Sequence, residues 1–397
     1  MEIPMTSEML DAARAIGDEI VATRRTIHQW PELAYTEERT AALVESRLRK
    51  LGIEVETGVG GTGVVGLLRG ALPGKTVLLR ADMDALPIDE MSDEPYCSQN
   101  KGVMHACGHD GHTSMLLGAA RLLAERRDRL SGNVKLMFQP AEEGGFGALR
   151  MIEAGLMDGP AVDAAFALHV DSLHYVGEVA LLSGPASAAA DRFTILVRGA
   201  GGHAARPQLT VDPIVVAAHI VVALQTLVSR EVAPSEPAVI TVGDLHGGTT
   251  ENVIPDDARI RGTLRTYSPD LRLYLERRIK ELSSGIAAAM RASAEVDWRP
   301  GYPSVINDAA SVELVRRVVE EGLGEAAPIA GELGMGAEDF AYVVERAPGM
   351  MFRLGVRSRS WEKPRPTHSS SFDLDETALP IGAGLLAATA VKFLSGE

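Results

Sequence analysis

Two apolar rhythms alternate along the chain. From Thr6 to about His28, Met9, Ala12, Ile16, Ile20 and Val21 recur on one side, which predicts a helix. A second helix is expected from about Thr36 to Leu51, stopped by Gly52, a residue suited to the left-handed turn that closes helices. Gly63–Leu68 and Thr76–Arg80 then read as short strands. Gly111 to about Glu125 returns to helical spacing through Met115, Leu116, Ala119, Leu122 and Leu123. Val134–Phe138 and Ala164–Leu168 read as buried strands, separated by a short helix, Gly147–Ala154, that ends at Gly155. Strands alternating with helices imply an α/β fold, a sheet with helices on its faces.

The texture changes after Ser183-Gly-Pro-Ala-Ser. Phe193–Arg198 is an expected strand and Val211 to about Ser229 a long helix. Ala238–Val242 and Ala258–Thr266 are strands, the second setting Ile260, Gly262 and Leu264 against Arg259, Arg261 and Arg265. Leu271 to about Ser293 is an amphipathic helix, followed by the strand Ala294–Arg299. Strand, helix, strand, strand, helix, strand is the split βαβ order of ferredoxin-like α+β units. Beyond Gly301 the pattern gives helices at Ser311–Glu321 and Glu338–Val344, a strand at Met350–Leu354 and a final helix at Leu379–Leu394. The expected organisation is an α/β domain built from residues 1–184 and 299–397, with an α+β domain of residues 185–298 inserted in it.

Length agrees: 397 residues exceed one ordinary core. The formal charge of −15 disfavours nucleic acid and anionic membranes as partners, and 5% aromatic residues leave little for base stacking. The apolar run Val211–Val228 is broken by Asp212, Pro213, His219 and Gln225 and reads as a buried helix, not a membrane span. Two cysteines, Cys97 and Cys107, make no disulfide framework and suit a reducing compartment. Met1–Ser7 shows no basic segment leading into an apolar core, so a cytoplasmic location is expected.

Four segments offer metal donors. His105-Ala-Cys107-Gly-His109-Asp110-Gly-His112 packs three histidines, a cysteine and an aspartate into eight residues. Residues two apart in an extended stretch share a face, so Cys107 and His109 can reach one ion, the soft and borderline donors that zinc selects. His112 opens a helix and reads as a cap or supporting residue. Glu142-Glu143 follows a buried strand; adjacent residues in extended chain point apart, so one carboxylate can hold metal while the other takes a proton. A solvated loop pair is the bland alternative. His169, at the end of a strand, is either a satisfied core histidine or a ligand, and His368 in its loop is equally ambiguous alone. Asp82 and Asp84 follow Thr76–Arg80, at the strand end where α/β ligand sites lie, or form a turn pair. Elsewhere, His203 sits in a glycine-rich turn, and Asn252 and Arg265 flank what reads as one hairpin; an arginine fork suits a carboxylate, although a surface strand arginine reads the same. Gly58-Val-Gly60-Gly-Thr-Gly63 fits a dinucleotide fingerprint, but a strand, not a helix, is expected after it.

Together, Arg80-Ala-Asp-Met-Asp-Ala-Leu-Pro, Gly102-Val-Met-His-Ala-Cys-Gly-His-Asp-Gly-His, Phe138-Gln-Pro-Ala-Glu-Glu-Gly, Gly201-Gly-His-Ala-Ala-Arg-Pro, Thr250-Glu-Asn-Val-Ile-Pro and Met335-Gly-Ala-Glu-Asp-Phe resemble the amidohydrolase branch of the aminoacylase/carboxypeptidase metallopeptidases. That branch holds hippurate hydrolases, N-acyl-amino-acid amidohydrolases and auxin-conjugate hydrolases. The resemblance implies two divalent ions, zinc or else manganese, cobalt or nickel. It implies Cys107 as their bridge, with His109, Glu143, His169 and His368 as further ligands, and Glu142 as general base. Asp84 matches an acid supporting the ligands, and His203 a residue that steadies the oxyanion from a partner subunit. Asn252 and Arg265 match residues near the substrate, an N-acyl amino acid. The inserted domain is implied to be a lid that also joins a homodimer or homotetramer. Asp82 stands where many relatives of the wider superfamily have a metal-binding histidine, and Cys107 where they use an aspartate. A dipeptidase, a carboxypeptidase and a non-catalytic metal-binding protein are the alternatives.

Overall fold

The structure, a computed structural model, describes residues 5–396, and these divide into two compact units. In chain order the larger unit supplies α1 (Met5–Ala15), α2 (Gly17–Gln29), α3 (Glu38–Lys50), β1 (Glu54–Val59), β2 (Gly63–Arg69), β3 (Leu72–Asp82), α4 (His109–Ala124), β4 (Ser131–Gln139), α5 (Gly147–Glu153), β5 (Ala164–Tyr175) and β6 (Val179–Leu181). The smaller unit supplies β7 (Ala189–Arg198), α6 (Pro213–Thr226), β8 (Ala238–Gly247), β9 (Asp257–Thr266), α7 (Pro269–Ala289) and β10 (Ser293–Arg299). The chain returns to the larger unit with α8 (Ala309–Leu323), β11 (Pro328–Ala330), α9 (Ala341–Val344), β12 (Gly349–Arg357) and α10 (Ala378–Ser395). The smaller unit spans 187–305 together with 333–338, where the sequence reading set 185–298.

The larger sheet is mixed, in the order β1-β2-β4-β3-β5-β12-β6-β11. At its centre β4, β3, β5 and β12 run parallel, with Asp82 opposite Gln139 and Arg80 opposite Ala167. Their carboxyl ends therefore open on the same edge, where parallel sheets place ligands. The core of this unit gathers Leu79, Phe138, Phe166 and Phe352 from the strands with Met115, Leu116, Leu385 and Leu386 from α4 and α10, all buried. α4 is buried along nearly its whole length, which anchors its first residue, His109, to the core.

One expected helix, Thr6–His28, is two, parted at Ile16 (φ −106°, ψ 13°). Gly17, just after the break, lets α2 approach α10 closely: a Cβ there would stand 3.1 Å from Cγ of Pro380, a tight contact. The helix expected at Glu338–Val344 is limited to α9, and the dinucleotide-like glycines lead into β2, a strand.

The smaller unit is an antiparallel sheet in the order β8-β9-β7-β10, the ferredoxin-like arrangement, with α6 and α7 closing its core over Phe193, Ile195, Ile260 and Leu264. Asp212 caps α6 by accepting from the backbone N–H groups of Ile214 and Val215, and Ser268 caps α7 at Leu271, each with proline at the first turn. The helix expected through Ser229 changes at Leu227 into a wider turn ending at Glu231. It is also less buried than its sequence suggests: Val216, Ala217, Ile220 and Leu224 face the core, while Ile214, Val215 and Val222 are exposed.

A buried ion cluster ties α2 to the start of α4. Arg24, fully buried, donates from Nε to Oδ2 of Asp110 at 2.6 Å and from Nη1 to Glu376 at 3.3 Å; His28 Nδ1 stands 2.8 Å from the same Asp110 oxygen. Removing one partner of such a cluster strands a charge in the interior. Arg24→Met should lower the unfolding free energy by about 3–5 kcal/mol, read by urea denaturation; a loss below about 1 kcal/mol would mean that water reaches Asp110 and that the cluster does not anchor the helix.

Candidate metal centre

Asp84, just past β3, organises the site. Its Oδ1 accepts from the backbone N–H of Glu142 (3.0 Å), and its Oδ2 from that of Glu143 (2.9 Å). His109 Nδ1 donates to the Asp84 backbone carbonyl at 2.9 Å, with the Asp84 carboxylate a further 3.2 Å contact. A carbonyl only accepts, so Nδ1 of His109 carries a proton and Nε2 is the nitrogen left to face an ion. That Nε2 is buried without a hydrogen-bond partner. Burial disfavours a charged His109, but Asp82 and then Cys107 outweigh it and hold its pKa well above the usual histidine range. This ring sits where a positive charge is favoured.

The other histidines sort themselves by the same rule. His169 Nδ1 donates to the Val170 carbonyl at 2.7 Å, leaving Nε2 to face Cys107 Sγ at 3.5 Å. Burial, then His112 and Arg353, push its pKa well down, so His169 is neutral, the form a metal takes. His112 accepts the Val170 backbone N–H on Nε2 (2.9 Å) and donates from Nδ1 to Asp82 Oδ1 (2.6 Å). Both of its ring nitrogens are committed, which leaves no lone pair for an ion. Asp82 is also engaged: burial would raise its pKa, but Arg80, with Nη1 2.7 Å from Asp82 Oδ2, and then His109 and His112 hold it well below the usual carboxylate range. His105 is buried against His28 and kept neutral by that burial, its pKa pushed down to about 4.

His368 reaches the site through its loop, its N–H donating to the Ala106 carbonyl at 2.7 Å with φ at +60°. That left-handed conformation costs a non-glycine residue about 1–2 kcal/mol, so the loop is held there by its contacts. Its Nε2 lies 3.1 Å from Glu143 Oε1. Cys107, then Glu143, raise its pKa to about 10, against the opposing effect of burial.

The donors therefore form two groups: Cys107 with His109 and His169, and Cys107 with Glu143 and His368, the donor atoms in each lying within 4.8 Å of one another. Cys107 belongs to both. Ligands placed at about 2.0–2.3 Å around one ion stand roughly 3–3.5 Å apart, as the His169–Cys107 and His368–Glu143 pairs do. Buried Nε2 of His109, without a hydrogen-bond partner, and buried Oε1 of Glu143, which faces only the His368 ring, complete a set that fits cations. Glu142 is buried and also joins a group with His109 and Glu143.

The local backbone differs from the sequence expectation in two places. Cys107 and His109 do not meet as alternate residues of an extended stretch. Gly108 is left-handed (φ +84°) and His109 begins α4; a Cβ at Gly108 would fall 2.5 Å from Val170. Glu142 and Glu143 lie in a tight turn, not extended chain, with Ala141 at φ +53°. Buried Glu37 accepts the Ala141 N–H at 2.9 Å, and Tyr35 donates to the Gly145 carbonyl at 2.5 Å, which holds this turn from its far side.

In the smaller unit, His203 is exposed on a short strand, Gly202–His203, paired with Val253–Ile254. Its Nδ1 accepts from the Ala205 N–H at 3.2 Å, so Nε2–H is free to donate outward. The Asn252 carbonyl accepts from Ala204 at 3.1 Å, placing Asn252 beside His203. Arg265 is not with them. It pairs with Val239 at the far end of β9, and the β8–β9 connection leaves from Gly247 and Ala258, about 24 Å of strand away.

The sequence reading did not single out Arg24, Glu37 or Tyr35 as supports of this site. A buried partner 86 residues distant, as Asp110 is from Arg24, leaves no periodic signal.

The chain is similar to several known proteins. The chain is 42% identical over 395 residues to thermostable carboxypeptidase 1 of Saccharolobus solfataricus, covering 98% of this chain and 99% of that protein. It is 42% identical over 381 residues to the N-acetyl-L-cysteine deacetylase of Bacillus subtilis, covering 96% and 89%. The crystal structure of Bacillus subtilis YxeP, described as a dinuclear metal binding peptidase of the M20 family, superposes with a TM-score of 0.84 at 34% identity, covering 96% of this chain and 99% of that one. The profile of Peptidase family M20/M25/M40 matches residues 78–392, and the chain belongs to that family of hydrolases.

Proposed function

We propose that the chain is a two-metal amidohydrolase that splits N-acyl amino acids into a carboxylic acid and a free amino acid. The observation that carries this is the pair of donor groups sharing Cys107 beside the buried carboxylate of Glu142. Cys107, His109 and His169 would hold one divalent cation, and Cys107, Glu143 and His368 the other. Such ions, when bound, polarise a carbonyl and make water acidic at neutral pH. Zinc suits the donors; manganese, cobalt and nickel are compatible with them.

The chain's own residues then divide the work. Glu142 takes a proton from the attacking water as its oxygen bonds to the amide carbon. The partner subunit's His203, with Nε2–H available, donates to the oxyanion that forms, a role typically worth about 3–4 kcal/mol. As the C–N bond breaks, Glu142 passes its proton to the leaving amine. Asp84 keeps the Glu142 backbone and the His109 ring in place throughout. Asn252 supports the His203 strand, and Arg265 receives the carboxylate of the amino acid by a bidentate fork. The smaller unit acts as a lid, and the exposed apolar residues Ile214, Val215 and Val222 on α6 suit self-association as a homodimer or larger homo-oligomer; a monomeric sedimentation coefficient at micromolar concentration would contradict it.

A second reading has specific support, the 42% identity to an archaeal carboxypeptidase. The family alone does not separate the two, because both reactions hydrate an amide. The deciding comparison is N-acetyl and N-benzoyl amino acids against unblocked dipeptides on the metal-loaded protein. Faster release of amine from the acylated substrates is expected; a preference for dipeptides would overturn the amidohydrolase reading.

Glu142→Ala should lower kcat by about 10²–10⁴-fold with metal content unchanged by elemental analysis; retention of most activity would remove Glu142 from proton transfer. Asp84→Ala frees two backbone N–H groups and removes the carboxylate contact to the His109 ring, leaving only the ring's bond to the residue-84 backbone carbonyl, and should weaken metal affinity about 10–100-fold in a competition titration with a chromophoric chelator. Unaltered affinity would show that the turn and the histidine hold themselves.

A further inference from the structure

The outer face of the smaller unit's sheet carries an unbalanced pair of arginines. Along β7, Arg192 and Thr194 alternate with the buried Phe193 and Ile195; along β9, Arg261, Thr263 and Arg265 alternate with the buried Ile260, Gly262 and Leu264. Thr263 lies opposite Arg192 and Arg265 opposite Ala190. Arg192 and Arg265 are therefore diagonal neighbours on one face, a relation that brings long side chains into reach of each other.

The acids in the vicinity are already taken. Asp191, next in sequence to Arg192, is buried and accepts Arg272 at 2.6 and 2.8 Å and the Gly301 N–H at 3.0 Å. Asp244 accepts Arg261 at 2.7 Å, and Asp297 accepts Arg299 at 3.0 Å. No carboxylate of the described residues lies within ion-pair distance of Arg192 or Arg265. Arg265 is nonetheless half-buried, and burial followed by the nearby Arg192 lowers its pKa. Two like charges held side by side, one of them partly desolvated, are unfavourable until an anion joins them. Beside Arg192 a groove of about 340 Å³ opens, lined by Arg192, Arg261, Arg299, Asp244, Thr194 and Thr241; Asp244 is the carboxylate already engaged by Arg261. On the buried side of the sheet Phe193 stacks on Trp298 at 6.0 Å with an interplanar angle of 5°. Gly262 leaves room for that ring, since a Cβ there would meet Phe193 at 2.3 Å.

We infer that Arg192 and Arg265 together form a subsite for two carboxylates, so that the preferred substrates are N-acyl amino acids with an acidic side chain of the aspartate or glutamate type. The inference rests on the reading above in which Arg265 receives the amino acid's own carboxylate; Arg192 then receives the second one. Two carboxylates two or three carbons apart match diagonal positions on one sheet face. The chain's net charge of −15 turns away polyanions in general, whereas a small dianion gains from a local cationic groove.

The test measures binding apart from turnover. In Glu142→Ala protein, titration calorimetry should show N-acetylglutamate binding about tenfold or more tighter than its neutral isostere N-acetylglutamine, as expected for hydrogen bonds to a charged group. Adding Arg192→Gln should bring that ratio close to one, and Arg192→Lys should leave it intermediate. Arg277→Gln, an exposed change on α7, should leave it as it was, which separates a local contact from net charge. Equal affinities for the two ligands, or a ratio untouched by Arg192→Gln, would overturn the subsite. If protein with Glu142 intact binds N-acetylglutamate preferentially and releases no glutamate, the amidohydrolase reading fails while the subsite stands.

Discussion

One carboxylate, that of Asp84, couples the parts on which the centre depends. It ends a core strand, holds the N–H groups of Glu142 and Glu143, and meets the ring of His109. The end of β3, the turn after β4 and the first residue of α4 are thus locked together. Without this brace Glu142 and His109 would be held less firmly relative to each other. Catalysis by placement tolerates little such freedom. The brace itself stands on the core, because β3 and β4 are buried central strands and α4 is buried along its length.

Around the brace, the interior accumulates ionisable groups that would be costly to bury singly. Asp82 is balanced by Arg80 and His112, and Asp110 by Arg24 and His28. The donor set, Cys107, Glu143 and Nε2 of His109 and His169, lies among these pairs, with Cys107 Sγ 3.5 Å from His169 Nε2 and Glu143 Oε1 3.1 Å from His368 Nε2. His368 responds to the same field, its pKa raised to about 10 by Cys107 and then Glu143. Sulfur, nitrogen and carboxylate donors gathered this closely in the interior suit cations.

Much of this was legible in the sequence, and the misses have physical causes. Strands and helices with strong periodicity, such as Val134–Phe138 and Gly111–Glu125, lie within observed elements, because local burial imposes the period. The dense cluster of donors at 105–112 marked the site by composition alone. The reason offered for Cys107 and His109 converging was wrong: a left-handed glycine and a helix start bring them together, and neither follows from residue spacing. The close approach of Gly17 involves Pro380, and the support of Asp110 comes from Arg24, both far away in sequence. Asn252 and Arg265 read as flanking one hairpin, but Asn252 lies in the connection between β8 and β9 and Arg265 near the far end of β9.

The account turns on a shared sulfur. Crystals of the protein grown with zinc, measured on both sides of the zinc absorption edge, would locate the ions by anomalous scattering. Two peaks per chain, each about 2.3 Å from Cys107 Sγ, with His109 and His169 beside one and Glu143 and His368 beside the other, are the expected result. A single peak, or ions away from Cys107, would contradict it.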